Sequence, residues 1–155
     1  MILNDPAELR DALPADARLM GLDVGTKTIG LALSDTRRII ATPLETIHRR
    51  RFREDMARLS ALIDIHGVGG LVIGLPLMLT GKDGPRTQSV RQFARNLVAL
   101  RDLPVTFWDE RLSTIAVTRE MISADLTRKR RGEIVDRVAA AYILQGFLDW
   151  LCRRG

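Results

Sequence analysis

Three acidic side chains, those of Asp23, Glu110 and Asp136, stand at positions where carboxylates could act together. The first two end apolar stretches that are typical of buried strands, and Asp136 lies on the apolar stripe of a helix. An ionised carboxylate that faces a core is costly unless its charge is compensated, and a bound cation compensates it well. Three converging carboxylates suit a hard divalent ion, Mg²⁺ or Mn²⁺, bound singly or as a pair.

Such ions can catalyse the hydrolysis of a phosphodiester bond. A pair about 3.5–4 Å apart activates water on one side of the phosphodiester and stabilises the leaving oxygen on the other. The composition excludes other catalytic sets, because Cys152 is the only cysteine and the two histidines, His48 and His66, lack the spacing of metal ligands. The sequence therefore predicts neither a zinc cluster nor a nucleophilic triad.

Each carboxylate also has a structural interpretation. Asp23 could shape the turn that follows it, Asp136 could stabilise a helix start through the helix dipole, and Glu110 could pair with Arg111. Asp109 is the alternative to Glu110 as the second metal ligand, because the register at this strand end is open. The metal hypothesis therefore depends on all three residues meeting at one edge of a sheet.

The predicted strands explain why they should meet. Alternating and uniformly apolar segments predict five strands, at 18–24, 28–35, 38–47, 71–75 and 105–109. The first three form an antiparallel meander, and right-handed crossovers make the first, fourth and fifth parallel, with their carboxyl ends at one edge. The expected fold is an α/β three-layer domain in which the meander is followed by βαβαβ, with helices on both faces of the mixed sheet.

Helical periods complete this organisation. They predict a short helix between Asp5 and Pro14, longer ones before and after the strand at 71–75, and one from Ser113 to about Ala124. A basic loop at 127–132 then precedes a last helix over about 133–151, whose stripe of Ala139, Ala140, Ile143 and Phe147 also includes Asp136. We expect a single domain over residues 1–155, with 1–17 as a peripheral extension.

The charge of the chain indicates a polyanionic partner. The 24 basic residues outnumber the 19 acidic ones, which gives a net charge of +5 among 155 residues, and 21 of the 24 are arginine. Arginine is suited to bidentate phosphate contacts, although GC-rich codons would also favour it over lysine. The apolar segments are too short to span a membrane, and the sequence predicts a cytoplasmic protein.

The chain contains four motifs, which are in order Asp23–Gly30 (DVGTKTIG), Val72–Leu77 (VIGLPL), Trp108–Thr114 (WDERLST) and Val135–Gln145 (VDRVAAAYILQ). Together they resemble the YqgF (RuvX) family of Holliday junction resolvase-like proteins in the RNase H-like superfamily, over about residues 18 to 150. The resemblance implies an RNase H-like fold and a nuclease that matures the 5′ end of pre-16S ribosomal RNA. Resolution of branched DNA is the alternative activity.

Carried over by position, the family's acidic site implies Asp23, Glu110 and Asp136 as catalytic residues and metal ligands. One departure is visible after GLPL, where the family often has Asn and Asp and this chain has Met78 and Thr80. A polar substrate contact from this loop is therefore not expected.

Basic residues beside the acidic edge are the candidates for substrate binding. Thr26 and Lys27 could touch the scissile phosphate, and Arg111 could orient Glu110 or the substrate. The run of Arg128, Lys129, Arg130 and Arg131 precedes the helix that carries Asp136, which makes it the preferred candidate to grip a phosphate backbone. A second basic segment, residues 37–58, is the other candidate.

The expected partners are structured RNA such as pre-16S rRNA, pre-ribosomal particles, or branched DNA, bound by a monomer or homodimer. A non-catalytic RNA-binding assembly factor is one rival function. An ATPase of the actin and Hsp70 type is another, because DVGTKTIG also resembles the phosphate-binding turn of that group. Those proteins clasp the nucleotide between two related domains, whereas 155 residues suffice for one.

Overall fold

A six-stranded mixed sheet forms the centre of the computed structural model, which describes residues 1–112 and 128–154. The strands are β1 (Ile2–Leu3), β2 (Arg18–Val24), β3 (Thr28–Ser34), β4 (Ala41–His48), β5 (Val68–Leu75) and β6 (Val105–Asp109), in the spatial order β1-β6-β5-β2-β3-β4. The described helices are α1 (Glu8–Ala12), α2 (Phe52–His66), α3 (Pro85–Leu100) and α4 (Arg128–Arg154), and a 3₁₀ turn covers Glu110–Leu112.

Strand pairing confirms the predicted topology. β2, β3 and β4 form the antiparallel meander, while β5 runs parallel to both β2 and β6. The carboxyl ends of β2, β5 and β6 therefore lie at one edge of the sheet. The amino end of β3 lies there too, since Asp23 near the end of β2 pairs with Gly30 near the start of β3.

Helices cover both faces of the sheet, as predicted. Met20 and Leu22 point into a core formed with α2 and α3, whereas Leu19 points into a second core formed with α4. This split follows from the alternation of side chains along a strand. The stripe of α4 predicted from the sequence is buried against the sheet through Ala139, Ala140, Ile143 and Phe147.

The sheet has one strand more than predicted, because residues 2–3 form β1 beside β6. Ile2 pairs with Val105, whose main-chain N–H donates to the Met1 carbonyl at 2.9 Å. Two residues are too few to show a period, so this pairing has no signal in the sequence. Leu9, which lies within the first 17 residues, is completely buried in the core on the α4 side of the sheet.

Helix ends show where local signals suffice and where they do not. α2 ends at Gly67, as predicted from the sequence, and the φ of this glycine is 64°, in the left-handed region. The basic segment at 128–131 is part of α4, so the prediction of a loop there is wrong. Arginine and lysine are good helix formers, and the charges that suggested a loop are compatible with helix. The helix predicted from Ser113 to Ala124 lies outside the described residues.

Within residues 1–112 and 128–154, no helix combines the length and apolar content needed to cross a bilayer.

Candidate active site

Asp23 lies between two glycines in a row that crosses three strands. Gly30 of β3 is its cross-strand partner, and Gly74 of β5 lies on its other side, since the preceding residues Leu22 and Ile73 are paired. Neighbouring strands are about 4.8 Å apart, so both glycines are immediate neighbours of Asp23. Asp23 is 6% exposed. This Gly30–Asp23–Gly74 row faces α4, and the absence of side chains on both glycines lets other parts of the chain approach on each side of the carboxylate.

Asp136 is brought to the row by direct contact between α4 and the sheet. A Cβ on Gly30 would collide with the Asp136 carbonyl and would lie 2.8 Å from the Arg137 nitrogen, so only glycine permits this approach. The Thr28 hydroxyl donates a hydrogen bond to Oδ2 of Asp136. Thr28 and Gly30 are two residues apart on β3 and therefore share the face that α4 covers.

Glu110 reaches the same row from the other side. Its Oε1 would lie 2.8 Å from a Cβ on Gly74, which places this carboxylate directly over Gly74. Glu110 is the first residue of the 3₁₀ turn after β6. The structure therefore brings Asp23, Glu110 and Asp136 to one face at the carboxyl edge of the sheet, with Asp136 on the Gly30 side and Glu110 on the Gly74 side of Asp23.

Asp109, the alternative to Glu110, is occupied by Arg111. The Arg111 guanidinium donates to both carboxylate oxygens, with Nε 3.0 Å from Oδ1 and Nη2 2.6 Å from Oδ2. This pairing lowers the pKa of Asp109 below its ordinary value of 3.8. Arg111 Nη1 also donates to the Leu79 carbonyl at 3.3 Å. Arg111 thus ties the loop after β5 to the end of β6, through Asp109 and Leu79.

The lowered pKa predicts how the Asp109 ion pair responds to pH. A carboxyl with a lower pKa in the folded chain stabilises the fold above its unfolded pKa, and that stabilisation is lost as the pH falls through the folded pKa. We expect Asp109→Asn to lower the free energy of unfolding at pH 7 by about 0.5–1 kcal/mol, because the pair is partly exposed. Urea unfolding of both proteins should show this difference closing between about pH 5 and pH 2. A difference that stays constant over that range would contradict the pairing.

The predicted substrate contacts are distributed unequally around the site. Thr26 and Lys27 are exposed in the turn between β2 and β3, three and four residues after Asp23. Residues 128–131 lie about one to two turns before Asp136 on α4, and their side chains are outside what the structure describes. Among the described contacts, Arg111 binds Asp109 and the Leu79 carbonyl.

The basic segment at 37–58 is divided between opposite ends of the sheet. Arg37 and Arg38 lie in the turn from β3 to β4, away from the acidic edge, and Arg38 donates to the Ala17 carbonyl at 2.8 Å. Arg58 on α2 pairs with Glu45. Residues 49–51, which follow β4, lie at the same edge as Asp23. The segment therefore provides two separate basic surfaces.

Sequence reasoning missed Thr28 and the two glycines of the row. The signal for Thr28 was present, because it alternates with Gly30 on a predicted strand and so shares the face of Asp23. The requirement for glycine at positions 30 and 74 depends on how closely other parts of the chain approach, and the local sequence does not contain that information.

The donor set fits a hard divalent cation by its chemistry. Carboxylate and hydroxyl oxygens from Asp23, Glu110, Asp136 and Thr28 share one face, and they are ligands that such ions prefer. In this conformation no group of three His, Cys, Asp or Glu side chains in the described ranges is close enough to hold a metal ion. An ion held by all three carboxylates would require them to lie closer together than they do here. An ion held there would activate water and stabilise charge on a phosphate.

The sheet topology and its covering helices define the class of the fold as that of RuvC-like, RNase H-like resolvases. The Thermus thermophilus RuvC structure solved in complex with Holliday junction substrate aligns with a TM-score of 0.51 at 15% identity, covering 90% of this chain and 96% of that chain. A second structure of Thermus thermophilus RuvC gives a TM-score of 0.50 at 12% identity, covering 88% and 97%. Such low identity supports the fold alone.

The family follows from the sequence comparison. The chain belongs to the RuvX family, described as Holliday junction resolvase, whose model matches residues 17–150. This confirms the resemblance seen in the four motifs, and family and fold together identify a hydrolase that acts on phosphodiester bonds.

Curated relatives cover nearly the whole chain. A protein of Paramagnetospirillum magneticum is 62% identical over 144 residues, which are 93% of each chain, and one of Rhodobacter capsulatus is 58% identical over 155 residues, which are 100% of this chain and 98% of the relative. Both carry the name "Putative pre-16S rRNA nuclease".

Proposed function

We propose that this protein is a divalent-metal-dependent nuclease that processes the 5′ end of pre-16S ribosomal RNA. The observation that carries the proposal is the placement of Asp23, Glu110 and Asp136 on one face of the sheet, along the Gly30–Asp23–Gly74 row. The names of the relatives at 53–62% identity supply the substrate. The same proposal places the protein in the cytoplasm, on pre-ribosomal particles.

In this proposal each residue has a defined role. Asp23, Glu110 and Asp136 hold Mg²⁺ or Mn²⁺, and the Thr28 hydroxyl orients Asp136 through its hydrogen bond to Oδ2. Glu110 is preferred to Asp109 because its Oε1 lies over Gly74, the neighbour of Asp23 in the row. Thr26 and Lys27 contact the substrate phosphate from the exposed turn, and the residues at 128–131 bind the backbone further along.

Depletion and rescue test the function in the cell. Loss of the protein should leave 16S rRNA with unprocessed 5′ ends, which primer extension can map. The wild-type gene should restore the mature end, whereas Asp136→Asn should not, because the variant removes a metal ligand and keeps the shape of the side chain. Rescue by Asp136→Asn would instead support the rival function of a non-catalytic RNA-binding assembly factor.

Branched DNA is the second candidate substrate, because the family model is described as a Holliday junction resolvase. Purified protein should cleave a structured precursor RNA faster than a four-way DNA junction in Mg²⁺ or Mn²⁺. If the DNA junction were cleaved faster than the RNA, branched DNA would be the substrate, and the roles proposed for the carboxylates would not change.

Metal binding provides a direct test of the acidic site. Calorimetric titration with Mn²⁺ should show binding at millimolar concentrations or below to the wild-type protein. Asp23→Asn should weaken this binding at least tenfold, because the ion loses one of three charged ligands. Equal binding by Asp23→Asn and wild type would remove Asp23 from the ligand set.

A further inference from the structure

Two arginines hold the turn that follows Asp23. Arg49 Nη1 donates to the Gly25 carbonyl at 2.6 Å, and Arg86 Nη2 donates to the Val24 carbonyl at 3.1 Å. The main-chain N–H of Arg49 also donates to the Lys27 carbonyl at 2.8 Å. Because Val24 and Gly25 are consecutive, both guanidinium groups lie beside the same turn.

These arginines come from the side of the sheet that α2 and α3 cover, opposite to the carboxylates. Arg86 lies in the first turn of α3, and the Arg49 guanidinium carbon is 5.4 Å from the centroid of the Phe93 ring, also on α3. Phe93 in turn packs edge to face on Phe52, at the start of α2. Contact with an aromatic face restrains a guanidinium group and leaves its polar edge available for hydrogen bonds.

The positive charge at this edge has no carboxylate partner in the described ranges. Among the side chains that the structure describes, at 1–112 and 134–154, no ion pair involves Arg49, Arg51 or Arg86, whereas four other arginines are paired with an aspartate or glutamate. Those four are Arg58, Arg91, Arg101 and Arg111. Arg51 and Arg86 are exposed, and so is Lys27 in the turn itself.

Two helix N-termini add to the positive potential. α2 begins immediately after Arg51, and α3 begins one residue before Arg86. The N-terminal end of a helix carries a partial positive charge and main-chain N–H groups without partners in the helix, so it attracts anions. The exposed basic side chains and the two helix N-termini thus lie at the edge beside Asp23, where Glu54 and Asp55 in the first turn of α2 offset part of the positive charge.

We propose that Lys27, Arg49, Arg51 and Arg86 form a phosphate-binding surface, the basic rim, for the backbone of the nucleic-acid substrate. The rim lies across the turn from the three carboxylates, so a strand bound to it passes over residues 24–27 to reach the acidic site. The inference rests on the proposed function, because its occupant is the substrate of that nuclease. It adds Arg49, Arg51 and Arg86 to the substrate contact already proposed for Lys27, and it is separate from the basic residues at 128–131.

Salt-dependent binding of RNA tests the rim. The full-length protein is titrated into a fluorescein-labelled RNA stem-loop with a single-stranded 5′ extension, in EDTA to prevent cleavage and at several NaCl concentrations. Each phosphate contact contributes about 0.7–0.9 to the slope of log K against log salt. The triple variant Lys27→Gln, Arg51→Gln, Arg86→Gln should therefore reduce the slope by about 2–3 and weaken binding on the order of 100-fold at 0.1 M NaCl.

Arg37→Gln is the matched control, because it removes one exposed positive charge from the turn at the opposite end of the sheet. Arg51→Gln alone should reduce the slope by about one, and the exposure of its side chain separates this effect from unfolding. The basic rim would be overturned if Arg51→Gln had the same slope as the control and the triple variant lowered the slope by no more than about one, which the loss of Lys27 alone would explain. Binding that depends on the rim in a wild-type protein that cleaves no RNA would instead overturn the proposed nuclease function alone.

Discussion

Asp23→Asn is expected to abolish cleavage while the protein stays folded and still binds RNA. Asp23 is at the centre of the Gly30–Asp23–Gly74 row, with Asp136 and Glu110 on either side. Asparagine has the same shape but lacks the charge that a divalent ion requires. The loss of an ion that stabilises a transition state costs several kcal/mol, so the rate of cleavage should fall by about 10³-fold or more.

Single-turnover cleavage of a structured precursor RNA in Mn²⁺ measures this effect, and circular dichroism measures the fold. Asp64→Asn on α2 is the matched control, because it removes the same charge from an exposed ion pair with Arg101, which follows α3. The control should cleave at the wild-type rate. If Asp23→Asn cleaved as fast as this control, the acidic site would lie elsewhere.

Gly30→Ala should give the largest loss of stability among the substitutions considered. The new Cβ would collide with the main-chain carbonyl of Asp136, so α4 must move away from the sheet. Backbone atoms cannot rotate out of the way as a side chain can. Overpacking of this kind costs about 3 kcal/mol, which lowers the melting temperature of a domain of this size by roughly 10 °C.

The same substitution should reduce cleavage, because it displaces the helix that carries Asp136. A misplacement of about 1 Å can cost on the order of 100-fold in rate. Thermal unfolding and single-turnover cleavage measure the two effects. Gly84→Ala provides the comparison in stability, since its Cβ would meet only the flexible Met78 side chain, with Cγ at 3.2 Å. Equal melting temperatures for the two variants would contradict the close contact between α4 and β3.

Much of this architecture could be predicted from the residues because its causes are local. The helical stripe that includes Asp136 follows from a period of 3.6, and the common edge follows from alternating strands and right-handed crossovers. The end of α2 at Gly67 needs only a residue that tolerates a positive φ. These features depend on neighbouring positions along the chain, so one sequence was enough to predict them.

The predictions from sequence were wrong or incomplete where contacts between residues distant in sequence determine the structure. β1 exists because two residues pair with β6, more than 100 positions away. The basic residues at 128–131 belong to α4, since charge alone does not distinguish a loop from a solvated helix. The division of residues 37–58 between two ends of the sheet required the positions of all the strands.

The sequence by itself determined the antiparallel meander followed by βαβαβ, the helical stripe that includes Asp136 and the sheet edge at which the candidate carboxylates lie. Only the tertiary structure decided which carboxylate after β6 lies over Gly74, which hydroxyl binds Asp136 and which arginines hold the turn after Asp23. The physical reason is the distance along the chain over which each effect acts. Periodicity and turn preferences act over a few residues, whereas the contact between Gly30 and α4 or the bond from Arg86 to Val24 forms only after packing brings those elements together.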